Sequence, residues 1–126
     1  MNEMRVTVPA GREWALVIKT AIGAAGSLAG LSLDVIDDLR SAADEAFELL
    51  TNQERRVEQV TMVTSVENGM FNLAFNAHRA EHFKACRPID PEMAQLIIGT
   101  LVTDVKLEGD RCGIFSVTMA LPAGTR

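Results

Sequence analysis

The chain has 126 residues, 48% of them hydrophobic, which suits one domain with one core, since a globular chain of this size buries very roughly two thirds of its unfolded surface. Its formal charge of -5 and scattered basic residues argue against direct contact with a phosphate backbone. No apolar run approaches the roughly 20 residues that span a bilayer, which argues against a membrane protein.

The opening segment, MNEMRVTVPAGREW, lacks the basic flank and apolar centre of a secretion signal, so a cytoplasmic location is expected. Within it Met4 to Pro9 alternates as a short edge strand, with Arg5 and Thr7 on one face, Val6 and Val8 on the other, and Pro9 as its stop. From Arg12 to Ala29 the positions Trp14, Val17, Ile18, Ala21, Ile22, Ala25 and Leu28 recur at helical spacing, and Gly30 suits a left-handed cap. Ser32 is a good N-cap for a second helix, whose stripe runs Val35, Ile36, Leu39, Ala42, Ala43, Ala46, Phe47, Leu50.

Beyond this helix the period changes from helical to alternating. Val57 to Val66 alternates, Asn68-Gly69 is a tight-turn signal, and Phe71, Leu73 and Phe75 alternate on the return, which predicts a hairpin. Ala77 to Pro91 shows no period and reads as a loop. Asp90 and Pro91 can open a third helix with Met93, Leu96, Ile97, Thr100 and Leu101 inward. Val102 to Leu107, a turn around Glu108 to Asp110, and Cys112 to Leu121 form a last hairpin. The two cysteines, Cys86 and Cys112, are too few for a disulfide framework and are read as thiols. There is no internal repeat and no linker, so residues 1–126 are expected to form a single domain. Its class is α+β, a two-layer α/β sandwich with helices on one face of a mixed, mostly antiparallel sheet.

The second helix carries the acids. At about 100 degrees per residue, Asp34, Asp38, Glu45 and Glu48 fall on or beyond one flank of the apolar arc, while Asp37, Arg40 and Asp44 lie further round. A solvated margin beside a core stripe accounts for such a row. Glu45 is the exception, for it borders the stripe and lies within reach of whatever covers the helix.

The order of elements and the segment LSLDVIDDLRSAADEAFELL resemble the anti-sigma-factor serine-protein kinases of the GHKL (histidine-kinase-like) ATPase superfamily, with a fainter likeness in LIIGTLVTDVKLEGDRCGIFSVTMALP. The resemblance implies a histidine-kinase-like ATPase fold. In that family the second helix bears Glu-Ala-x-x-Asn, the Glu acting on water or hydroxyl and the Asn holding Mg2+ on the nucleotide. Matched position by position, the Glu falls on Glu45, the Ala on Ala46 and an acid common one helical step earlier on Asp38, but the Asn falls on Leu49. Leucine offers no oxygen to a hard cation, and Asn52 projects about 300 degrees further round the helix.

The family's Asp-x-Gly-x-Gly, which reads adenine, would fall on Asn76-Ala77-His78-Arg79-Ala80, with an amide at Asn76, His78 in place of the first glycine and Ala80 in place of the second. The glycine-rich lid finds no glycine between Gly69 and Gly99, and its expected pair falls near Glu92 and Ala94. A phosphate cradle needs backbone that side chains obstruct, and Glu92 would repel the anion. The segment from Asn76 to Pro91 is also short for a lid.

His78-Arg79-Ala80-Glu81-His82 spells the inverted zinc-peptidase motif, with Cys86 one further four-residue step on, and on a helix the two imidazoles would share a face. Against it stand the loop setting, the small chain and the missing apolar helix, so no metal site is expected. No Gly-x-Ser-x-Gly, Walker loop or Rossmann fingerprint occurs.

The expectation is an anti-sigma-factor-like regulator without ATP, Mg2+ or kinase activity, Glu45 being a vestigial catalytic candidate. By resemblance its partners would be a sigma factor or an anti-anti-sigma protein, with a homodimer through the first strand or first helix. An active ATP- and Mg2+-dependent serine kinase of the same family is the alternative, and a zinc hydrolase a third class.

Overall fold

A computed structural model describes residues 2–53, 56–80, 104–110 and 112–123. The described elements run β1 (Asn2–Pro9), α1 (Ala15–Leu28), α2 (Leu33–Thr51), β2 (Val57–Glu67), β3 (Met70–Arg79), β4 (Asp104–Asp110) and β5 (Gly113–Pro122), with a 3-10 turn at Arg12–Trp14 leading into α1. The expected third helix from Pro91, the lid segment with Glu92 and Ala94, and the residues Glu81, His82 and Cys86 lie outside the described residues.

α2 forms where its sequence predicts. The Ser32 hydroxyl accepts from the Val35 N–H at 3.2 Å, which satisfies one of the donors that a helix start leaves open. Ile36, Leu39, Ala42, Ala43, Ala46, Phe47 and Leu50 are buried along one side. α1 ends in a Schellman arrangement, with Leu31 N–H on the Gly26 carbonyl at 3.0 Å and Gly30 N–H on the Ser27 carbonyl at 3.1 Å.

On α1 the apolar positions at helical spacing do not share one buried face. Ala15, Ile18, Ile22 and Gly26 are buried, whereas Trp14, Val17 and Leu28, three of the apolar positions at helical spacing, are exposed. The helix is apolar nearly all round, with Leu16 also exposed, so its pattern does not select a face.

The five strands form one sheet in the order β1-β2-β3-β5-β4. All the described pairings are antiparallel, so within these residues the sheet is not mixed. Asn68 and Gly69 join β2 to β3 with φ of 53° and 73°, the pair of positive values that a type I′ hairpin turn requires. β3 continues to Arg79, past the expected loop start at Ala77, by pairing Arg79 with Val57 across an irregularity in β2. β4 likewise runs through Asp110, where the sequence predicts a turn.

Both helices cover one face of the sheet, α1 over β1 and β2, α2 over β2, β3 and β5. Val60, Met62, Leu73, Phe75, Val117 and Met119 are buried beneath them, and together with Ile18, Ile22, Leu39 and Leu50 they form the core. Because side chains alternate along a strand, the intervening residues lie on the other face. There Thr61, buried despite facing away from the helices, bonds the Thr7 hydroxyl at 2.8 Å and His78 Nε2 at 2.7 Å.

Candidate functional site

The acidic helix resolves into paired and unpaired carboxylates. Lys19 Nζ meets Asp44 Oδ2 at 3.0 Å and Arg12 Nη1 meets Glu48 Oε2 at 3.2 Å, two ion pairs that tie α2 to α1 and its lead-in turn. Both are solvent-screened and contribute little to stability, but they account for two acids of the row. Glu45 is half-buried at the rim of the same groove, an open hollow of about 580 Å3 between the helices. Its carboxylate makes no hydrogen bond or ion pair with the described residues. Asp38 is exposed, and Leu49 is partly buried with its side chain packed against the core. The helix therefore presents Asp38, Glu45 and Leu49 on one flank, as the residue spacing requires.

Asn76 and His78 do not join them. In β3 the inward residues are Leu73 and Phe75, so Asn76, opposite Thr61 and Ser116, stands on the far side of the sheet from α2. His78 stands there too, held by Thr61. A nucleotide lying against the flank of α2 would be separated from both by the sheet itself. The reason is the extension of β3, since a strand's two-residue period, not its proximity to the helix, decides which side a residue serves.

The same strand weakens the zinc motif. His78 and Arg79 are in a β-strand and point to opposite faces, so the helical step that would bring His78 beside His82 does not start from here. Among the described residues no cluster of His, Cys, Asp or Glu could hold a metal ion.

A group that the sequence reading did not single out lies at the C-terminal end of α2. Arg79 grips Asp110 with two bonds, Nη1 to Oδ1 at 2.9 Å and Nη2 to Oδ2 at 2.7 Å, the fork geometry that suits a guanidinium and a carboxylate. Arg79 Nη1 also donates to Gln53 Oε1 at 3.3 Å, and the guanidinium lies 5.0 Å from the centroid of the Phe115 ring. Gln53 Nε2 in turn donates to the carbonyls of Leu50 at 2.6 Å and Ile114 at 2.8 Å. The result is a clasp joining the end of α2 to β3, β4 and β5. Its arginine side chain is 10% exposed and bonded to Asp110 and Gln53, which makes it a structural cation rather than one offered to a phosphate.

The Cys112 N–H donates to Asp110 Oδ1 at 2.9 Å beside the clasp. Cys112 is disulfide-bonded, which corrects its reading as a thiol; Cys86, the other cysteine of the chain, lies outside the described residues. Nothing local marks the clasp in the sequence, because the side chains and carbonyls it bonds together lie up to 61 residues apart.

No helix of the described residues is long and apolar enough to cross a membrane. Neither a family model nor a curated protein matches the chain. Among solved structures it is similar to a chain comprising the RsbU and RsbW domains of Rv1364c from Mycobacterium tuberculosis, with a TM-score of 0.75 at 11% identity. The match covers 100% of this chain and 34% of that one, so this chain spans about a third of its neighbour's length. At that identity the likeness establishes the fold, an α+β domain with helices on one face of an antiparallel sheet.

Proposed function

We propose that this chain is an anti-sigma-factor-like regulator that works by docking a sigma factor or an anti-anti-sigma protein, and that it neither binds ATP nor transfers phosphate. The support for the regulatory half is the resemblance of residues 31 to 50 to the anti-sigma kinases together with a fold shared with a chain that includes an RsbW domain. The single observation behind the second half is the flank of α2, where Glu45 keeps a carboxylate but Leu49 packs a hydrocarbon into the core. A magnesium ion seeks oxygen ligands in near-octahedral order, and this position has none to give. Glu45 is then a relic of an acid–base role, and Asp38 a solvated acid. A cytoplasmic location follows from the proposed partner.

Titration calorimetry of the purified chain with Mg-ATP tests the catalytic half. The expected result is no saturable heat at millimolar nucleotide and no rise in melting temperature, since a ligand at 100 times its dissociation constant would add about 2.7 kcal/mol. Saturable binding in the micromolar range would favour the active serine kinase instead, with Glu45 as its base.

A further inference from the structure

Cys112 stands where β4 turns into β5, between two residues on which the clasp depends. Its N–H holds Asp110 Oδ1 at 2.9 Å, the same oxygen that Arg79 Nη1 grips at 2.9 Å. The next residue, Gly113, lies so close to Gln53 that an added β-carbon would stand 2.5 Å from Gln53 Cβ. Cys112 is half-buried rather than sealed in the core, and its sulfur is part of a disulfide. The chain has one other cysteine, Cys86, which lies 26 positions earlier in the sequence, between β3 and β4. Within one chain the bond is therefore to Cys86.

We propose that the Cys86–Cys112 bond is a reducible latch on the clasp, closed by oxidation and opened by a dithiol. A cross-link anchored at Cys112 steadies the turn that carries Asp110 and Gly113. Those two in turn fix Arg79 and Gln53, so freedom gained at Cys112 passes to the end of α2, where Gln53 bonds the Leu50 carbonyl. The compartment rests on the proposed function: a regulator that meets a sigma factor works in the cytoplasm. Dithiol systems there keep most cysteines reduced, and the disulfides that do form are transient or redox-sensing. In the opening step a thiolate of the dithiol attacks one sulfur of the bond, and the other sulfur leaves as a thiolate and takes a proton. The second thiolate of the dithiol then attacks the mixed disulfide. Two electrons and two protons pass to the chain, which gains two thiols, and the dithiol departs as its own disulfide. Closing is the reverse exchange, with an oxidised dithiol protein as the electron acceptor.

Titration of the folded full chain with dithiothreitol, read by thiol alkylation with mass spectrometry and by amide hydrogen exchange, tests the latch. The expected result is that Cys86 and Cys112 become labelled together in the folded chain, with the melting temperature lowered by roughly 10 °C as the closed loop is released. Exchange at the Cys112 amide and at residues 50–53 should quicken about tenfold or more on reduction, while the β1–β2 pairing keeps its protection. Cys86→Ser and Cys112→Ser should each show the reduced pattern and ignore the dithiol. Asp110→Asn, with both cysteines intact, should exchange fast at residues 50–53 in either redox state, because the clasp carries the effect. Labelling that appears only on unfolding, or protection lost throughout the sheet on reduction, makes the bond a structural one and overturns the proposal. So does exchange at residues 50–53 that is indifferent to reduction. None of these readouts involves nucleotide or sigma factor. A chain that switches but binds no sigma factor keeps the latch and loses the docking role, and one that binds a sigma factor around a bond no dithiol opens keeps the role and loses the latch.

Discussion

Gly113→Ala is expected to destabilise the fold by about 3–5 kcal/mol, roughly half the stability of an ordinary domain. Two causes add. Gly113 has φ of 140°, outside the range that L side chains adopt comfortably, and a β-carbon placed there would lie 2.5 Å from Gln53 Cβ. That neighbour is the root of its side chain, not a swinging end, and Gln53 is held by the Leu50 and Ile114 carbonyls and by Arg79. To make room, the end of α2 must move off β5, and the clasp opens with it. Gly69→Ala provides the internal comparison. Its φ of 73° is equally left-handed, but no atom lies within 4 Å of the added carbon, so only the conformational part remains, about 1 kcal/mol. Urea denaturation of the two variants should separate them clearly; equal midpoints would show that the contact at Gln53 does not constrain the strand.

Leu39→Ala should cost about 3 kcal/mol, a fall in melting temperature of roughly 12 °C. Leu39 is 0% exposed on the inward side of α2, in the core that α2 builds with the sheet. Removing three carbons there forfeits their transfer from water and leaves a void that close-packed neighbours fill only in part. Leu33, at the start of the same helix, is 79% exposed, and Leu33→Ala should change stability by less than about 0.5 kcal/mol. Thermal unfolding followed by circular dichroism gives both numbers, and a Leu39→Ala chain that melts with the parent would contradict the placement of α2 on the sheet.

These expectations rest on elements of unequal legibility. α2 could be read in advance because its apolar residues hold one arc for five turns and Ser32 supplies a hydroxyl where the first N–H groups need an acceptor. The β2–β3 hairpin was equally legible from Asn68-Gly69, since few residue pairs tolerate two positive φ values in succession. α1 was legible as a helix but not as a face. With Leu16, Val17 and Leu28 all apolar, the arc has no polar side to define it, and only the position of α2 and the sheet decides what is covered.

The site was legible in one half. Asp38, Glu45 and Leu49 lie along one helix flank, and helical spacing alone puts them there. Asn76 and His78 were matched to a motif by order along the chain, whereas β3 extends through them and a two-residue period carries both to the opposite face. No local signal ends β3, because its last pairings depend on β2, which sits up to 22 residues earlier at Val57 and Arg79. The clasp of Gln53, Arg79, Asp110 and Phe115 was illegible for the same reason. A guanidinium and a carboxylate of this kind are ordinary surface residues until four elements converge on them.

The acidic row that makes α2 look like a catalytic face is largely answered by its surroundings. Asp44 and Glu48 turn toward α1 and its lead-in, Asp38 meets solvent, and Glu45 stands one turn from Leu49, which packs against the core. The two-layer fold shared with the RsbU–RsbW chain is what the proposed docking role rests on. The most direct measurement is calorimetric titration of the purified chain with each purified sigma factor of its own host, with and without Mg-ATP. The expected result is stoichiometric binding of one sigma factor with a dissociation constant unchanged by nucleotide. Absence of binding to every one of them, or binding that appears only when Mg-ATP is present, would contradict it.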